Sequence, residues 1–343
     1  MTFENAKRFF ENHFGEKSTE FVTLAQSGSA RVNFRAENQN GKYIITYNEN
    51  TLENESFLYF SEVFSTLKLN TPKIYKVSDD RKMYIQQYLG NDTLSEIIFK
   101  EGQSENVESL VKETLEKLFQ LQIQTQDQID YTQTFEYESY DDLPVMHDLY
   151  YFKNFVADVL ELEYHKSSLL KEFKKLVNLI ENLEPKGLMI RDFQARNIMV
   201  NERNEVSFID YQSAMRGPLM YDVISFLFQA KANFPEEFKN RMLEFYLQQF
   251  ENKEIQSQLK DSVKPIQLMR FLQVLGAYGF RGLIQRKQHF IASIDKGIEN
   301  ITVFSENWED MKNYPELNKV IGQLNSDKIK LKIEEILNHD EKI

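Results

Sequence analysis

Residues 187–222 read GLMIRDFQARNIMVNERNEVSFIDYQSAMRGPLMYD. Two short runs with strand character stand inside this stretch, Asn197-Ile198-Met199-Val200 and Val206-Ser207-Phe208-Ile209. Asp192 and Asn197 fence the first and Asp210 closes the second, with Arg191 and Arg196 beside them. Asn197 follows Asp192 by five residues, and Asp210 follows Asn197 by thirteen. A loop of that length returns the chain so that Asp192 and Asn197 face one pocket, and a tight hairpin then delivers Asp210 beside Asn197. One carboxylate to receive a hydroxyl proton, with an amide and a second carboxylate to hold Mg²⁺ on phosphates, is the set that phosphoryl transfer requires. The competing reading is an ordinary polar hairpin, since D-x-x-x-x-N alone arises by chance in long chains. The ordered series acid, Asn, apolar strand, turn, apolar strand, acid is much narrower.

The sequence before this stretch has two textures. Phe3, Ala6, Phe9, Phe10 and Phe14 recur at helical spacing and Gly15 stops the run. From Phe21 to Tyr47 the pattern is strand-like, with a hairpin turn at Asn38-Gln39-Asn40-Gly41. A helix is expected from about Leu52 to Leu67, with Leu52, Phe57, Phe60, Phe64 and Leu67 buried, then two strands around Asp79-Asp80. After the opening helix, about five strands and one further helix therefore precede Leu89–Thr93, where Gly-Asn-Asp interrupts the pattern and marks the boundary. Helices dominate after it: 107–124, 145–164, 221–231, 236–250, 263–286, 289–301 and 328–337.

Composition narrows the function. A chain of 343 residues with 41% hydrophobic and 27% charged residues is globular and large enough for two lobes. The net charge of -12 argues against nucleic-acid binding. The absence of Cys excludes a disulfide framework, a thiolate nucleophile and a Cys-type zinc site. The five His residues show no ligand spacing. The start MTFENAKRFFENHFG lacks a secretory pattern, and no apolar run approaches the roughly 20 residues of a membrane span. A cytoplasmic protein with no membrane partner is expected.

RDFQARNIMV and FIDYQ resemble the catalytic and metal-binding loops of the aminoglycoside phosphotransferase and choline kinase superfamily, relatives of the protein kinases. Arg191-Asp192-Phe193, Arg196 before Asn197, Asp210-Tyr211-Gln212, Arg216-Gly217-Pro218 and Tyr221-Asp222 resemble, more narrowly, the bacterial kinases that phosphorylate N-acetylmuramate and N-acetylglucosamine at the anomeric hydroxyl. MYIQQYLGNDTL (83–94) is similar to the lobe connector of the superfamily, and LQVLGAYGFRGL (272–283) is similar less specifically. The resemblance implies an α+β, bilobal protein-kinase-like fold. Residues 1–90 would form a β-rich nucleotide-binding lobe, and residues 91–343 a mostly helical lobe carrying the catalytic and metal-binding loops, with the nucleotide in the cleft between them. It implies ATP and Mg²⁺ as cofactors and a small-molecule sugar as substrate. It also implies functional coupling to a sugar-1-phosphate nucleotidyltransferase.

Carried over residue by residue, Asp192 becomes the catalytic base or the group that orients the sugar hydroxyl, and Asn197 and Asp210 the metal ligands. Arg196 faces the transferred phosphoryl. Ser27, Gly28, Ser29, Arg31, Gln87 and Tyr88 are the nucleotide-binding candidates. Gln212, Asp142 and Asp148 are the substrate candidates, the latter two at the start of a helix that borders the acceptor cleft in this superfamily. Asp222 is expected to tie down the catalytic loop.

Three departures from the pattern stand out. The phosphate loop Gln26-Ser27-Gly28-Ser29-Ala30 has one glycine where protein kinases have three. The third-strand Lys is replaced near Thr46, leaving Arg31 or Arg35 to supply the charge and Glu53 or Glu55 to pair with it. Gln194 and Ile190 stand where Lys and His are usual around the catalytic Asp, and Ile190 suggests an apolar bed for the loop. Two rival readings follow: a choline- or aminoglycoside-type kinase, and a nucleotide-binding pseudokinase scaffold.

Overall fold

A computed structural model describes residues 3–25 and 30–338. The nucleotide-binding candidates Ser27, Gly28 and Ser29 lie outside the described residues. The chain forms two compact units, residues 1–138 with 187–216, and residues 139–186 with 217–343. The connector expected at Leu89–Thr93 lies inside the first.

The first unit opens with helix α1 (Phe3–Phe14), strands β1 (Glu20–Thr23), β2 (Val32–Asn38) and β3 (Gly41–Tyr47), helix α2 (Thr51–Thr66), and strands β4 (Ile74–Val77) and β5 (Met83–Gln87). The strands form one antiparallel sheet in the order β1-β2-β3-β5-β4. The β2–β3 turn closes with Asn38 opposite Gly41, and Asn38 Oδ1 accepts from the Asn40 amide at 2.9 Å. Period-two alternation buries Phe34, Ala36, Tyr43, Ile45 and Ile85, onto which α1 lays Ala6 and Phe10. Burial of each large apolar side chain stabilises by about 1.5–3 kcal/mol.

Helix α2 departs from the expected stripe. Leu52 is 69% exposed, because the Asn50 cap starts the helix at Thr51 and turns the first-turn side chain outward. The buried face is Asn54, Ser56, Phe57, Leu58, Phe60, Ser61 and Phe64.

After β5 come the two-residue strand β6 (Asp92–Thr93) and helices α3 (Leu94–Glu101) and α4 (Glu105–Gln124). Thr93 and Glu96 form a capping box on α3, and Ser104 caps α4.

The second unit begins with α5 (Asp142–Phe152), a π-helical segment at Lys153–Ala157, and α6 (Lys166–Glu181). Strands β7 (Lys186–Met189), β8 (Ile198–Val200), β9 (Val206–Phe208) and β10 (Met215–Pro218) follow. The second unit then continues with α7 (Met220–Leu227), α8 (Glu236–Leu247), α9 (Lys253–Tyr278), a π-helical segment at Gly279–Ile284, α10 (Gln288–Ile291), α11 (Ile294–Asn307), α12 (Pro315–Leu324) and α13 (Asp327–Asn338). The helix expected at 145–164 is thus interrupted: it widens into π geometry after Phe152. The cause is a close crossing with the end of α9. A Cβ on Gly279 would meet the Phe155 carbonyl oxygen at 2.2 Å, so the two widened turns pack backbone to backbone. Among the described residues no helix is long and apolar enough to cross a membrane.

Candidate active site

β8 and β9 form the hairpin expected from the sequence, in the register Ile198↔Phe208, Met199↔Ser207, Val200↔Val206. Its turn is built by Asn201, whose Oδ1 accepts from the amides of Arg203 (2.9 Å) and Glu205 (3.0 Å). β6 adds a third strand, pairing Asp92 with Val200 and Thr93 with Met199. Gly90 makes this possible. It has φ +138, and a Cβ there would lie 2.5 Å from the Val200 carbonyl oxygen. Helix α4 braces the other side: Glu113 accepts from the Val206 amide (3.2 Å), and Lys117 Nζ donates to the Val206 carbonyl (3.0 Å).

A 3-10 turn at Ala195–Asn197 carries Asn197 into β8. Asn197 is nearly buried, and its Nδ2 donates to the Asp192 carbonyl at 2.9 Å and to Asp210 Oδ2 at 3.1 Å. That one amide ties together the three residues of the opening stretch. Arg191 and Asp210 both have left-handed backbone, φ +73 and +67. Each such residue costs about 1–3 kcal/mol, which the surrounding contacts must offset. The loop rests on apolar side chains: Ile190 is buried, and Phe193 meets Phe208 edge to face at 4.9 Å.

Asp210 is the most heavily engaged carboxylate. Oδ1 accepts from Arg31 Nη2 and from Gln212 Nε2 (3.1 Å), while Oδ2 accepts from Asn197. Burial opposes its ionisation. The Arg31 charge and hydrogen bond, the Gln212 bond and the charge of exposed Arg196 outweigh that, and hold it below the usual carboxylate range. Arg31 Nη1 also donates to Gln212 Oε1 at 3.1 Å, and Arg31 Nε lies 3.6 Å from Glu53 Oε1 on α2. Both ends of the Gln212 amide are therefore used inside the protein, and the residue is 6% exposed.

The structure separates the cation candidates. Arg31 reaches Asp210, whereas Arg35 pairs with Glu20 at 2.9 Å. Likewise Glu53 turns toward Arg31, whereas Glu55 pairs with Arg81. Thr46 is buried, its hydroxyl donating to Asn33 (2.7 Å) and accepting from Gln86 (2.9 Å). Gln87 and Tyr88 are half-buried at the end of β5. The Lys42 ammonium lies 5.9 Å from the Tyr88 ring centre, and the Tyr88 hydroxyl bonds Asn91.

The remaining candidates belong to the second unit. Asp142 is exposed in the first turn of α5, whereas Asp148 is buried and accepts from the Tyr140 hydroxyl at 2.8 Å. Asp222 is fully buried at the start of α7, where its charge adds to burial in raising the Tyr246 phenol.

One seating was missed at the level of sequence. The Asp210-Tyr211-Gln212 segment docks on α2: Ser56 Oγ donates to the Gln212 carbonyl (2.8 Å), Ser61 shares a hydrogen bond with the Tyr211 hydroxyl (2.7 Å), and Tyr211 stacks on Phe57 at 4.7 Å. Two serines inside the aromatic stripe of α2 are the signal for it.

The donor set fits Mg²⁺. Among the described residues no group of three or more His, Cys, Asp or Glu is placed to hold a metal. Asn197 and Asp210 offer one amide and one carboxylate instead. Mg²⁺ accepts so sparse a protein shell because it keeps waters and takes phosphate oxygens.

Two relatives match this chain over about two thirds of its length. The N-acetylmuramate/N-acetylglucosamine kinase of Neisseria meningitidis serogroup B is 23% identical over 237 residues, 68% of each chain. That of Pseudomonas putida is 24% identical over 246 residues, 70% of this chain and 69% of its own. In structure, the choline kinase LicA from Streptococcus pneumoniae superposes with a TM-score of 0.60 at 11% identity, over 88% of this chain and 98% of that one. The α+β fold is therefore that of the protein-kinase-like small-molecule kinases. The family model described as the phosphotransferase enzyme family, APH, matches residues 22–264, both flanks of the β8–β9 hairpin included. A match of that extent makes this chain a member of the phosphotransferase enzyme family.

Proposed function

We propose that this protein is an ATP- and Mg²⁺-dependent kinase that phosphorylates the anomeric hydroxyl of an N-acetylated amino sugar, N-acetylmuramate or N-acetylglucosamine, in the cytoplasm during cell-wall recycling. The observation that carries the reading is the Asn197 amide, which holds the Asp192 loop and the Asp210 carboxylate together on one hairpin. The names of the two relatives support the choice of acceptor.

In the reaction the sugar oxygen attacks the terminal phosphorus of ATP, the bond to the bridging oxygen breaks, and ADP leaves. Asp192 orients the attacking hydroxyl and takes its proton. An anomeric hydroxyl ionises more readily than an ordinary alcohol and the transition state is loose, so Asp192 needs no raised basicity. Asn197 and Asp210 would hold Mg²⁺, which when bound would neutralise charge on the phosphates. Arg196, exposed on its 3-10 turn, supplies positive charge beside Asp210 and faces the transferred group. Arg31, Gln87 and Tyr88 serve the nucleotide from the β-rich segment 1–90. On the acceptor side, exposed Asp142 is a better sugar ligand than Asp148, which already serves Tyr140, or Gln212, whose amide is spent on Asp210 and Arg31. The product, a sugar 1-phosphate, is the substrate class of a nucleotidyltransferase.

The test is transfer from ATP-Mg²⁺ to N-acetylmuramate, N-acetylglucosamine, choline and kanamycin, with Asp192→Asn alongside. Loss of the reducing end of one amino sugar, abolished in the variant, is the expected result. Turnover with choline or kanamycin alone would replace the acceptor. Nucleotide binding without turnover of any acceptor would make the protein a binding module.

A further inference from the structure

Kinase-like folds set a Lys on the third strand against the phosphates and pair it with an acidic residue of the first-lobe helix. Here the strand position holds Thr46, buried and bound to Asn33 and Gln86, so no cation stands at that position of β3. The cation that does enter is Arg31, from the residue that leads into β2. It touches two elements at once. Asp210 and Gln212 bind its Nη atoms from the end of the hairpin, and Glu53 meets its Nε from the first turn of α2. Those elements hold a fixed spacing, because Ser56, Phe57 and Ser61 of α2 grip Tyr211 and Gln212. Glu53 is itself positioned by its amide bond to the Asn50 cap and by Asn48 Nδ2 at 2.8 Å. Arg31 thus stands where its fork spans the helix acid and the metal-site acid.

The carboxylate it grips is the one assigned to the metal. A divalent ion on Asp210 would stand beside a guanidinium on the same oxygen, and two cations repel there unless an anion lies between them. The triphosphate of ATP is such an anion. We infer that Arg31 and the metal ion take Asp210 in turn: the guanidinium neutralises Asp210 and disfavours metal alone, then turns onto the nucleotide phosphates when they bring the metal in. Glu53 anchors it throughout, so that Arg31 does the work of the absent strand Lys. The inference rests on the kinase reading of Asp210 and adds a specific coupling: metal and nucleotide bind well together and poorly apart.

The test is calorimetry on the full chain with Mn²⁺ alone, with a non-hydrolysable ATP analogue alone, and with both, for wild type, Arg31→Gln, Arg31→Lys and Glu53→Gln. Thermal melts check folding. Arg31→Gln is expected to bind Mn²⁺ alone about 10-fold more tightly than wild type and the metal–nucleotide pair about 10-fold more weakly. Arg31→Lys restores part of the nucleotide affinity, since it keeps the charge and loses the fork. If Arg31→Gln does not fold, Glu53→Gln decides, with an expected loss of about threefold in metal–nucleotide affinity and no gain for Mn²⁺ alone. Parallel shifts of both affinities in Arg31→Gln, or unchanged nucleotide binding in Glu53→Gln, overturn the exchange while leaving the kinase reading in place. A wild-type protein that binds no metal–nucleotide pair overturns the kinase reading and this inference with it.

Discussion

Arg31 and Arg270 each tie separate parts of the chain together, and the groups they tie differ. Arg31, in the first unit, is held by carboxylates, Asp210 and Glu53, with one amide, Gln212. Arg270, in the second, is 5% exposed on α9 and donates to Tyr221 Oη at 2.9 Å, to Ser225 Oγ at 2.8 Å and to Gln273 Oε1. Its guanidinium also lies 5.0 Å from the Tyr221 ring centre. Through two hydroxyls and an aromatic face Arg270 fastens α9 to α7. Arg31 holds two acids, one of which, Asp210, is the carboxylate proposed above for the metal. The partners of a buried charge, more than its burial, separate scaffold from machinery.

The largest effect tests the machinery. Asp192→Asn is expected to lower kcat by about 10²–10⁴-fold with an unchanged melting temperature. A variant that melts much earlier would mean that Asp192 serves the scaffold instead. Arg270→Met inverts the outcome. It removes the donor that meets the Tyr221 and Ser225 hydroxyls and is expected to cost about 2–4 kcal/mol in denaturant unfolding, with kcat/KM per folded molecule within about twofold of wild type. Substantial loss of activity at full stability would erase the contrast between the two arginines. Gly90→Ala probes the backing of the charged side. Its Cβ would press on the Val200 carbonyl, and about 1–3 kcal/mol of stability should be lost along with activity, because β6 and β8 move together. The smallest effect belongs to Glu55→Gln. The exposed Glu55–Arg81 pair contributes roughly 0–1 kcal/mol, and kcat should not change; this is the control for Glu53→Gln two residues away.

The opening stretch was legible because its signals are local. Five residues from Asp192 to Asn197 and a tight hairpin leave the chain few ways to turn, and β8, β9 and the buried Ile190 lie where the sequence puts them. Four of the five strands of the main sheet and α1 were legible for the same reason, through period-two and helical spacing, while β1 is shorter than its apolar run suggests. What long-range packing decides was not legible. Sequence proximity makes Arg31 and Arg35 equal candidates, and only the register of β2 against β1 gives Glu20 to Arg35. Glu53 reads as a solvated helix face until Arg31 is brought to it from across the sheet. Asp148 reads as an acid at a helix start, and its burial depends on Tyr140 folding back over it. α3, α6 and α12 went unread between stronger patterns, and α12 is started by a distant group: Glu172 of α6 accepts from the Glu316 and Leu317 amides at 3.0 and 2.8 Å.

The seating of Tyr211 on α2 has a consequence for how the chain is made. Ser61 and Tyr211, which share a hydrogen bond, are 150 residues apart. At the usual rate of synthesis, about 5–20 residues per second, α2 leaves the ribosome roughly 8–30 s before the residue that covers it. Through that interval Phe57 and Phe64 lack Tyr211, one of the aromatic rings each packs against, and Arg31 lacks Asp210. The nascent helix α2 therefore carries aromatic surface that invites chaperone binding, and Arg31 acquires its carboxylate only when the β8–β9 hairpin arrives.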